Sequence, residues 1–302
     1  MYDLIVIGAG PAGVSASVYA SSRGMNVLVI EKKSVGGIIG SVSTVSHYTA
    51  VMQNETGATF AKRMEEQLLS SGATLAIEEV INVNFKNNIK EVITTNGLYK
   101  SKAVIIANGS TAKKLEVHGA DKFRGKTFGI NAAKTAEIYK GKNMYVIGGA
   151  DGAVKEALYL SKFAKQVTIV CVEEKLACIQ EFRDKVNKST NIVVCPNCTL
   201  TSVTGNEQIE KITLTNLTTN ENKEIQDEGA IIYTYVGLIP NTQIYDCLNS
   251  ENGYLIVNQD METIIPGVFS VGDICKKSVY QVSTAVSDGT IAGINAFKYL
   301  NN

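Results

Sequence analysis

The sequence of 302 residues contains no tryptophan, only two histidines and no excess of charge of either sign. Its 29 Lys and Arg residues balance 29 Asp and Glu residues, so it lacks the basic surface that a nucleic acid or an anionic membrane would need. No apolar run approaches the roughly 20 residues that span a bilayer. The first three residues, Met1-Tyr2-Asp3, carry no basic stretch of the kind that opens a signal peptide. These absences predict a cytoplasmic globular protein without nucleic-acid or membrane partners.

Six cysteines are present. In a reducing cytoplasm they are expected to be thiols, redox groups or ligands rather than structural disulfides.

A glycine-rich motif directly follows the first apolar segment of the chain. Residues 4–7 form a buried-strand pattern, residues 8–13 read Gly-Ala-Gly-Pro-Ala-Gly, and a second apolar strand ends at Glu31. In a dinucleotide site the first glycine permits a tight turn, the second lets the backbone approach the pyrophosphate, and the third lets the helix pack on the sheet. The acid at the end of the second strand binds a ribose hydroxyl. The predicted nucleotide-binding residues are Gly8, Gly10, Pro11, Ala12, Gly13 and Glu31.

A second, altered copy of this unit begins halfway along the chain. Strand 143–147 runs into Gly148-Gly149-Ala150-Asp151-Gly152, and the next strand ends in Cys171-Val172-Glu173. Ala150 replaces the glycine of closest approach, which predicts looser or displaced binding, and the acid favours a free ribose over the 2′-phosphate of NADP. We therefore predict a second nucleotide site, with a remnant element that binds nothing as the alternative. Its predicted residues are Gly148, Gly149, Ala150, Gly152 and Glu173.

These motifs, taken in order, resemble the low-molecular-weight thioredoxin reductases and their relatives. Besides the two glycine motifs, the matching segments are Gly36-Gly37, residues 106–109, 236–237, 240–242, 266–273, 280–281 and 288–289. The resemblance implies an α/β fold with two Rossmann-like domains, the second inserted into the first, and a homodimer. The implied FAD-binding domain comprises residues 1–113 and 246–302, and the inserted nucleotide-binding domain comprises residues 114–245.

The resemblance also implies which residues hold FAD. Asp273 would bind the ribitol and phosphate, and Gln281 with its neighbours would line the flavin ring. The remaining residues expected at the cofactor are Gly36, Gly37, His47, Asn108, Gly109, Gly272, Tyr280 and Val282.

Three departures from the family pattern change the expected chemistry. The family's redox-active Cys-x-x-Cys is replaced by residues 131–134, which read Asn-Ala-Ala-Lys, and its basic NADPH-binding residues are replaced by residues 171–173. His47 stands where the family usually has asparagine. Atypical relatives take electrons from ferredoxin or hold a second FAD in the inserted domain, so the predicted donor is ferredoxin or a reduced nicotinamide. The second site is predicted to hold a second FAD or NAD.

A different cysteine pair, Cys195-Pro196-Asn197-Cys198, follows an apolar strand of the inserted domain. In a doubly wound sheet this third strand lies beside the second, so Cys171 is expected next to Cys195. One interpretation is a catalytic disulfide of Cys195 and Cys198. A second is a zinc or iron–sulfur site that adds Cys171 and Cys178, and a third is a set of inert buried thiols.

The function favoured by these patterns is an FAD-dependent disulfide oxidoreductase. Electrons would pass between the flavin and the Cys195/Cys198 dithiol, directly or through a second flavin, to a disulfide-containing protein. The alternatives are a ferredoxin- or NADH-linked flavin electron-transfer enzyme without thiol chemistry, and a non-catalytic flavin-binding sensor. No metal is predicted in the favoured case.

Overall fold

The structure, a computed structural model, describes residues 1–302 and divides into two compact units. Unit 1 comprises residues 1–111 and 238–302, and unit 2 comprises residues 112–237. Unit 2 is therefore inserted into unit 1, and the predicted α/β class with two Rossmann-like domains is confirmed.

Short strands outnumber helices along the chain. The strands are β1 (Tyr2–Ile7), β2 (Val27–Glu31), β3 (Thr74–Ile77), β4 (Val80–Asn84), β5 (Lys90–Thr94), β6 (Gly97–Ile106), β7 (Ser110–Ala112), β8 (Asn143–Ile147), β9 (Gln166–Val170), β10 (Ile192–Cys195), β11 (Cys198–Thr204), β12 (Lys211–Asn216), β13 (Asn222–Gln226), β14 (Ile231–Thr234), β15 (Leu238–Pro240), β16 (Ser250–Glu251), β17 (Tyr254–Leu255) and β18 (Val268–Ser270). The helices are α1 (Pro11–Ser21), α2 (Gly57–Ser70), α3 (Ala132–Thr135), α4 (Asp151–Leu160), α5 (Gln180–Lys188) and α6 (Val282–Asn301).

The boundary at which the chain returns to unit 1 differs from the sequence-based value. Unit 1 resumes at Leu238, eight residues before the predicted position 246. The physical reason is backbone pairing, because β15 forms a two-stranded sheet with β7 at the end of the first segment. The hydrogen bond from the Asn241 N–H to the Gly109 carbonyl, 3.0 Å, continues this pairing.

The main sheet of unit 1 has the order β3-β2-β1-β6-β5-β4, with β18 also pairing with β6. The central strands are parallel and are buried on both faces, so their sequences are continuous apolar runs. Leu4 and Val6 of β1 face one core cluster, whereas Ile5 and Ile7 face the other. This alternation follows from the period of two along a strand.

Helices α1 and α6 of unit 1 pack so closely that two glycines of α6 are required. A side chain on Gly289 would stand 2.1 Å from the carbonyl oxygen of Ala12, and one on Gly293 would stand 2.5 Å from that of Ala16. The two helices thus touch along their backbones. This contact holds the first glycine loop and the start of α6 in one place.

Unit 2 contains a four-stranded parallel sheet of order β10-β9-β8-β14 and a three-stranded antiparallel sheet of order β11-β12-β13. One face of the parallel sheet packs against α4 and α5 through Met144, Val146 and Ile169. The other face, including Tyr145 and Ile147, shares a core cluster with the antiparallel sheet. In neither unit does any helix have the length and apolar character needed to cross a membrane.

Candidate functional site

The glycine loop of unit 1 has one open position between two crowded ones. Gly8 has φ +101° and lies against the backbone of Ala107, and a side chain on Gly13 would stand 1.9 Å from the carbonyl oxygen of Gly8. A side chain on Gly10, by contrast, would meet nothing within 4 Å. Gly8 and Gly13 are therefore needed for packing, and the space beside Gly10 is left for a ligand.

Three further predicted residues gather around this loop. The carboxylate of Glu31 accepts a hydrogen bond from the Ala9 N–H at 2.9 Å. The Gly36 N–H donates to the Ala9 carbonyl at 2.8 Å, and a side chain on Gly37 would lie 3.4 Å from the Cα of Gly10. Pro11 begins α1, where its missing N–H costs nothing, and Ala12 packs against Gly272.

Asp273 follows β18 in a short turn spanning Gly272–Ile274. Its Oδ1 atom is buried and has no hydrogen-bond partner within the chain. Burial raises the pKa of this carboxyl, since the charged form loses its hydration. A buried carboxylate oxygen without a donor fits a ligand that brings hydroxyl groups, as the ribitol of FAD does.

A buried ion pair supports this turn, and only its acidic member lies in a segment that the motif analysis named. Asp288 accepts a hydrogen bond from the Gly272 N–H at 3.1 Å and also bonds the ammonium group of Lys277. Both side chains of the pair are largely buried, at 15 % and 16 % exposure. Lys277 belongs to none of the segments that the sequence analysis named, and its partner Asp288 lies eleven residues further along.

The start of α6 carries the three residues expected at the flavin ring. Gln281 is the N-cap residue and Val282 is the first helical residue. The hydroxyl of Tyr280 accepts from the Lys277 N–H at 3.4 Å, and its ring centroid lies 5.4 Å from that of Tyr254. Gly272 brings this region to the glycine loop, because its Cβ position is 2.9 Å from the Cβ of Ala12.

The side chain of Asn108 has a structural role that its predicted role did not include. Its amide donates to the Asn241 carbonyl at 3.2 Å, and its oxygen accepts from the Tyr245 hydroxyl at 3.3 Å. The side chain of Asn241 in turn donates to the Asn108 carbonyl at 2.7 Å. These bonds tie the two segments of unit 1 together, which leaves the backbone of Asn108 and Gly109 as the part that could face a cofactor.

His47 lies on the exposed loop between β2 and α2. Its Nδ1 is 2.9 Å from the hydroxyl of Ser46. A role for this ring at the flavin stays a prediction.

The glycine loop of unit 2 repeats that of unit 1 with a methyl group added. Ala150 is the N-cap residue of α4 as Gly10 is of α1, and both have extended backbones, with φ −84° and −73°. Gly148 (φ +133°) lies against the Tyr235 carbonyl, whereas Gly152 faces open space. The exposed methyl of Ala150 therefore stands where a pyrophosphate would approach.

Cys171, not Glu173, occupies the position in unit 2 that Glu31 has in unit 1. In unit 1 Ile7 pairs with Ile30, and in unit 2 Ile147 pairs with Val170, so the next residue is Glu31 in one and Cys171 in the other. Glu173 nonetheless reaches the same place, because its Oε2 lies 3.1 Å from the Cβ position of Gly149. The carboxylate predicted to bind the ribose therefore belongs to Glu173, two residues beyond the position equivalent to Glu31.

The motif Cys195-Pro196-Asn197-Cys198 forms the tight turn from β10 to β11, with Asn197 in the left-handed region at φ +52°. The two thiols lie close enough together to affect each other's ionisation. Cys195 is half-buried and Cys198 is 8 % exposed. Burial first, and the contact with Cys198 second, raise the pKa of Cys195 to about 12.

The expected neighbourhood of Cys171 and Cys195 is confirmed. The Cys171 N–H donates to the Cys195 carbonyl at 3.1 Å, and the Cys198 N–H donates to the Cys171 carbonyl at 2.9 Å. Burial, with smaller effects of Glu173 and Cys198, raises the pKa of Cys171 to about 11. Three thiols therefore share the carboxyl edge of the parallel sheet.

The interpretation of a four-cysteine metal site is wrong. Cys178 packs in the core cluster on the helical face, with Phe182 and Val186, whereas Cys195 and Cys198 pack in the cluster on the opposite face. No group of three or more His, Cys, Asp or Glu side chains has the arrangement of a metal site. Residues 131–134, where the family pattern has its cysteines, form the N-cap and first turn of α3, and the Asn131 side chain caps the Lys134 N–H at 3.0 Å.

Together, the two dinucleotide folds and the FAD-compatible cradle define the class of flavin-dependent oxidoreductases. Residues 2–289 match the model of the pyridine nucleotide-disulphide oxidoreductases. The chain belongs to this family and to its thioredoxin reductase-like flavoproteins.

Individual relatives are similar over nearly the whole chain. A "34.2 kDa protein in rubredoxin operon" from Clostridium pasteurianum is 34% identical over 301 residues, which cover 99% of this chain and 97% of the relative. A thioredoxin reductase from Peptoclostridium acidaminophilum is 33% identical over 306 residues, with the same coverage. The crystal structure of Lactococcus lactis thioredoxin reductase matches with a TM-score of 0.94 and 30% identity, covering 100% of this chain and 99% of that one. These relatives give no support for a second FAD in unit 2.

Proposed function

We propose that this protein is an FAD-dependent disulfide oxidoreductase in which Cys195 and Cys198 exchange electrons with a protein disulfide. The observation that carries this proposal is the placement of Cys195 and Cys198 together in one turn at the carboxyl edge of a dinucleotide-type sheet, where both are hydrogen-bonded to the backbone of Cys171 and where such sheets bind ligands. The relatives named thioredoxin reductase support a disulfide as the acceptor.

The residues of unit 1 fit FAD. Gly10 would leave room for the pyrophosphate, Glu31 would bind the ribose, and the buried Oδ1 of Asp273, which has no partner in the chain, would bind a hydroxyl group. Bound FAD would supply a two-electron carrier. The ion pair of Lys277 and Asp288 stabilises the turn that carries Asp273, because Asp288 accepts a hydrogen bond from the Gly272 N–H.

We propose NADH as the donor bound by unit 2. Glu173 places a carboxylate at the ribose position, and neither Cys171 nor Val172 carries a positive charge that could bind a 2′-phosphate. Overall, NADH and one proton would convert a disulfide into two thiols and NAD⁺. Reduced ferredoxin as donor, the homodimer and a second FAD stay predictions.

In the thiol exchange, Cys195 is the proposed attacking group, because it is more exposed than Cys198. Its sulfur forms a bond to one sulfur of the incoming disulfide, whose S–S bond breaks and whose other sulfur leaves and takes up a proton. The sulfur of Cys198 then displaces the bound half, which leaves as the second thiol. Cys195 and Cys198 are thereby oxidised by two electrons to a disulfide, and the partner is reduced by two.

The test is the double variant Cys195→Ser/Cys198→Ser, with the exposed Cys247→Ser as the matched control. NADH oxidation is measured with oxidised thioredoxin as a disulfide acceptor and with ferricyanide as an acceptor that needs no thiol. The proposal expects the double variant to lose disulfide reduction at least 100-fold while ferricyanide reduction is kept. Undiminished disulfide reduction would refute it.

A second candidate is a flavin electron-transfer enzyme without thiol chemistry. It is favoured by the burial of Cys198, which limits access to its sulfur, and by the raised pKa of Cys195, which keeps that thiol protonated at neutral pH. In that case the wild type and the double variant would both reduce ferricyanide and neither would reduce thioredoxin. A protein that binds FAD but reduces neither acceptor would instead be the flavin-binding sensor.

A further inference from the structure

The thiol pair and the second glycine loop are joined by one residue, Cys171. On one side, the Cβ position of Gly149 lies 2.7 Å from the Cβ of Cys171 and 3.4 Å from its Sγ. On the other side, backbone hydrogen bonds place Cys171 between Cys195 and Cys198. Nothing in the proposed exchange uses this third thiol.

Glu173 provides a second connection between the same two places. Its carbonyl accepts from the Asn197 N–H of the cysteine turn at 3.0 Å, and it also lies 3.6 Å from the Cys171 Sγ. Its carboxylate points to Gly149 at 3.1 Å from the Cβ position. A shift of the cysteine turn therefore moves both the thiol and the carboxylate that pack on the glycine loop.

Gly149 packs directly against Cys171, with no room between them for a side chain. A Cβ added to Gly149 would lie 2.7 Å from the Cβ of Cys171, which is shorter than van der Waals contact. Only a glycine therefore fits at position 149. Packed interiors transmit displacements of this kind because they compress little. Closing the S–S bond brings the two sulfurs to about 2.05 Å, which would draw Cys195 and Cys198 together across the turn.

We propose that Cys171 is a positioning residue that couples the oxidation state of Cys195 and Cys198 to dinucleotide binding in unit 2. Disulfide formation at the turn weakens dinucleotide binding, and by linkage a bound dinucleotide stabilises the dithiol. The oxidant is a disulfide, which is reduced to two thiols as Cys195 and Cys198 are oxidised. This inference rests on the proposed function for the identity of the redox pair.

The test measures binding of ADP-ribose, which carries the adenosine, both phosphates and no nicotinamide, to the full-length flavoprotein by calorimetry. The protein carries Cys247→Ser, so the exposed thiol cannot form intermolecular disulfides. One sample is reduced with dithiothreitol, and the other is oxidised with diamide, which takes two electrons and two protons from a thiol pair. Peptide mass spectrometry identifies the Cys195–Cys198 disulfide.

We expect the Kd for ADP-ribose to be at least fivefold higher in the oxidised protein. Cys171→Ala should reduce this difference to less than twofold while the disulfide still forms, and the size-matched Cys171→Ser should restore it. The reciprocal readout is the midpoint potential of the dithiol, which should move by about 30 mV for a tenfold change in Kd.

The inference is overturned by equal Kd values in the two states, by a difference that survives in Cys171→Ala, by the absence of ADP-ribose binding in both states, or by failure of the disulfide to form. The assay involves no turnover, so it fails separately from the proposed function. The two results can also differ. If the Kd values differ but the double serine variant still reduces thioredoxin, the coupling stands and the catalytic role of Cys195 and Cys198 is excluded.

Discussion

The Cβ of Cys171 lies 2.7 Å from where a side chain on Gly149 would begin. The replacement Gly149→Ala should therefore destabilise the protein by about 1–3 kcal/mol, the usual cost of overpacking a filled site. The matched control is Gly152→Ala, because that position is exposed in α4 and meets nothing within 4 Å. Alanine there should be neutral or stabilising by up to about 1 kcal/mol. Urea unfolding of the two variants measures the difference, and equal stabilities would contradict the packing at Gly149.

The first glycine loop allows a similar contrast with a different readout. Gly10→Ala should leave the stability of the FAD-free protein within about 0.5 kcal/mol, because its side chain would face open space. It should weaken FAD binding at least tenfold, measured by flavin fluorescence on titration. Gly13→Ala should instead lose about 3 kcal/mol or more of stability, since its side chain would stand 1.9 Å from the Gly8 carbonyl oxygen. Unchanged FAD affinity in Gly10→Ala would place the cofactor elsewhere.

The replacement Asp273→Asn tests the unpartnered carboxylate of unit 1. A hydrogen bond to a charged group contributes about 1.5–3 kcal/mol, so FAD affinity should fall about 10- to 150-fold. The control is Asp246→Asn, at an exposed position of the same unit, which should bind FAD as the wild type does. If Asp273→Asn binds FAD with wild-type affinity, the buried oxygen has another role.

The raised pKa of Cys195 predicts the pH dependence of its alkylation. Only the thiolate reacts, and with a pKa of about 12 its fraction grows about tenfold for each pH unit up to that value. The iodoacetamide rate at Cys195, followed by peptide mass spectrometry, should therefore still rise between pH 9 and 10. A free cysteine, with a pKa near 8.5, levels off over that range. A plateau for Cys195 below pH 9 would show that the site stabilises its thiolate.

The choice between NADH and NADPH should depend on Glu173. Glu173→Gln removes the negative charge that would repel a 2′-phosphate, so the preference for NADH over NADPH should decrease about tenfold at low salt. The effect should shrink as ionic strength rises, because the carboxylate is exposed. Glu174→Gln, one residue further along, is the matched control and should leave the ratio of the two Kd values unchanged. A preference unaltered in Glu173→Gln would exclude the carboxylate as its cause.

The helices and parallel strands could be predicted from the sequence because their signals are local. The apolar runs and glycine motifs locate β1 and β8 to within two residues, and they also indicate β2 and β9. Glycine loops impose backbone geometry that few other sequences can supply. The placement of Cys171 beside Cys195 could also be predicted, because the second and third strands of a doubly wound sheet are neighbours.

The roles that depend on distant partners could not be predicted in this way. The side-chain hydrogen bonds of Asn108 are an example, because their partners Asn241 and Tyr245 lie more than 130 positions away along the chain. The chain returns to unit 1 at Leu238 because β15 pairs with β7, and no local sequence pattern predicts this pairing. Cys178 could not be separated from the other cysteines until the two faces of the sheet were known.

The turn at Asn197 is also the point at which the chain leaves the parallel sheet of unit 2 and enters the antiparallel one. Without the S–S bond, the two sheets are joined there by backbone alone, with Asn197 in the left-handed region and its N–H hydrogen-bonded to the Glu173 carbonyl. A disulfide between Cys195 and Cys198 would add a covalent bond across the turn that joins the two sheets. Slower amide hydrogen exchange in β11 after oxidation would make this added constraint visible.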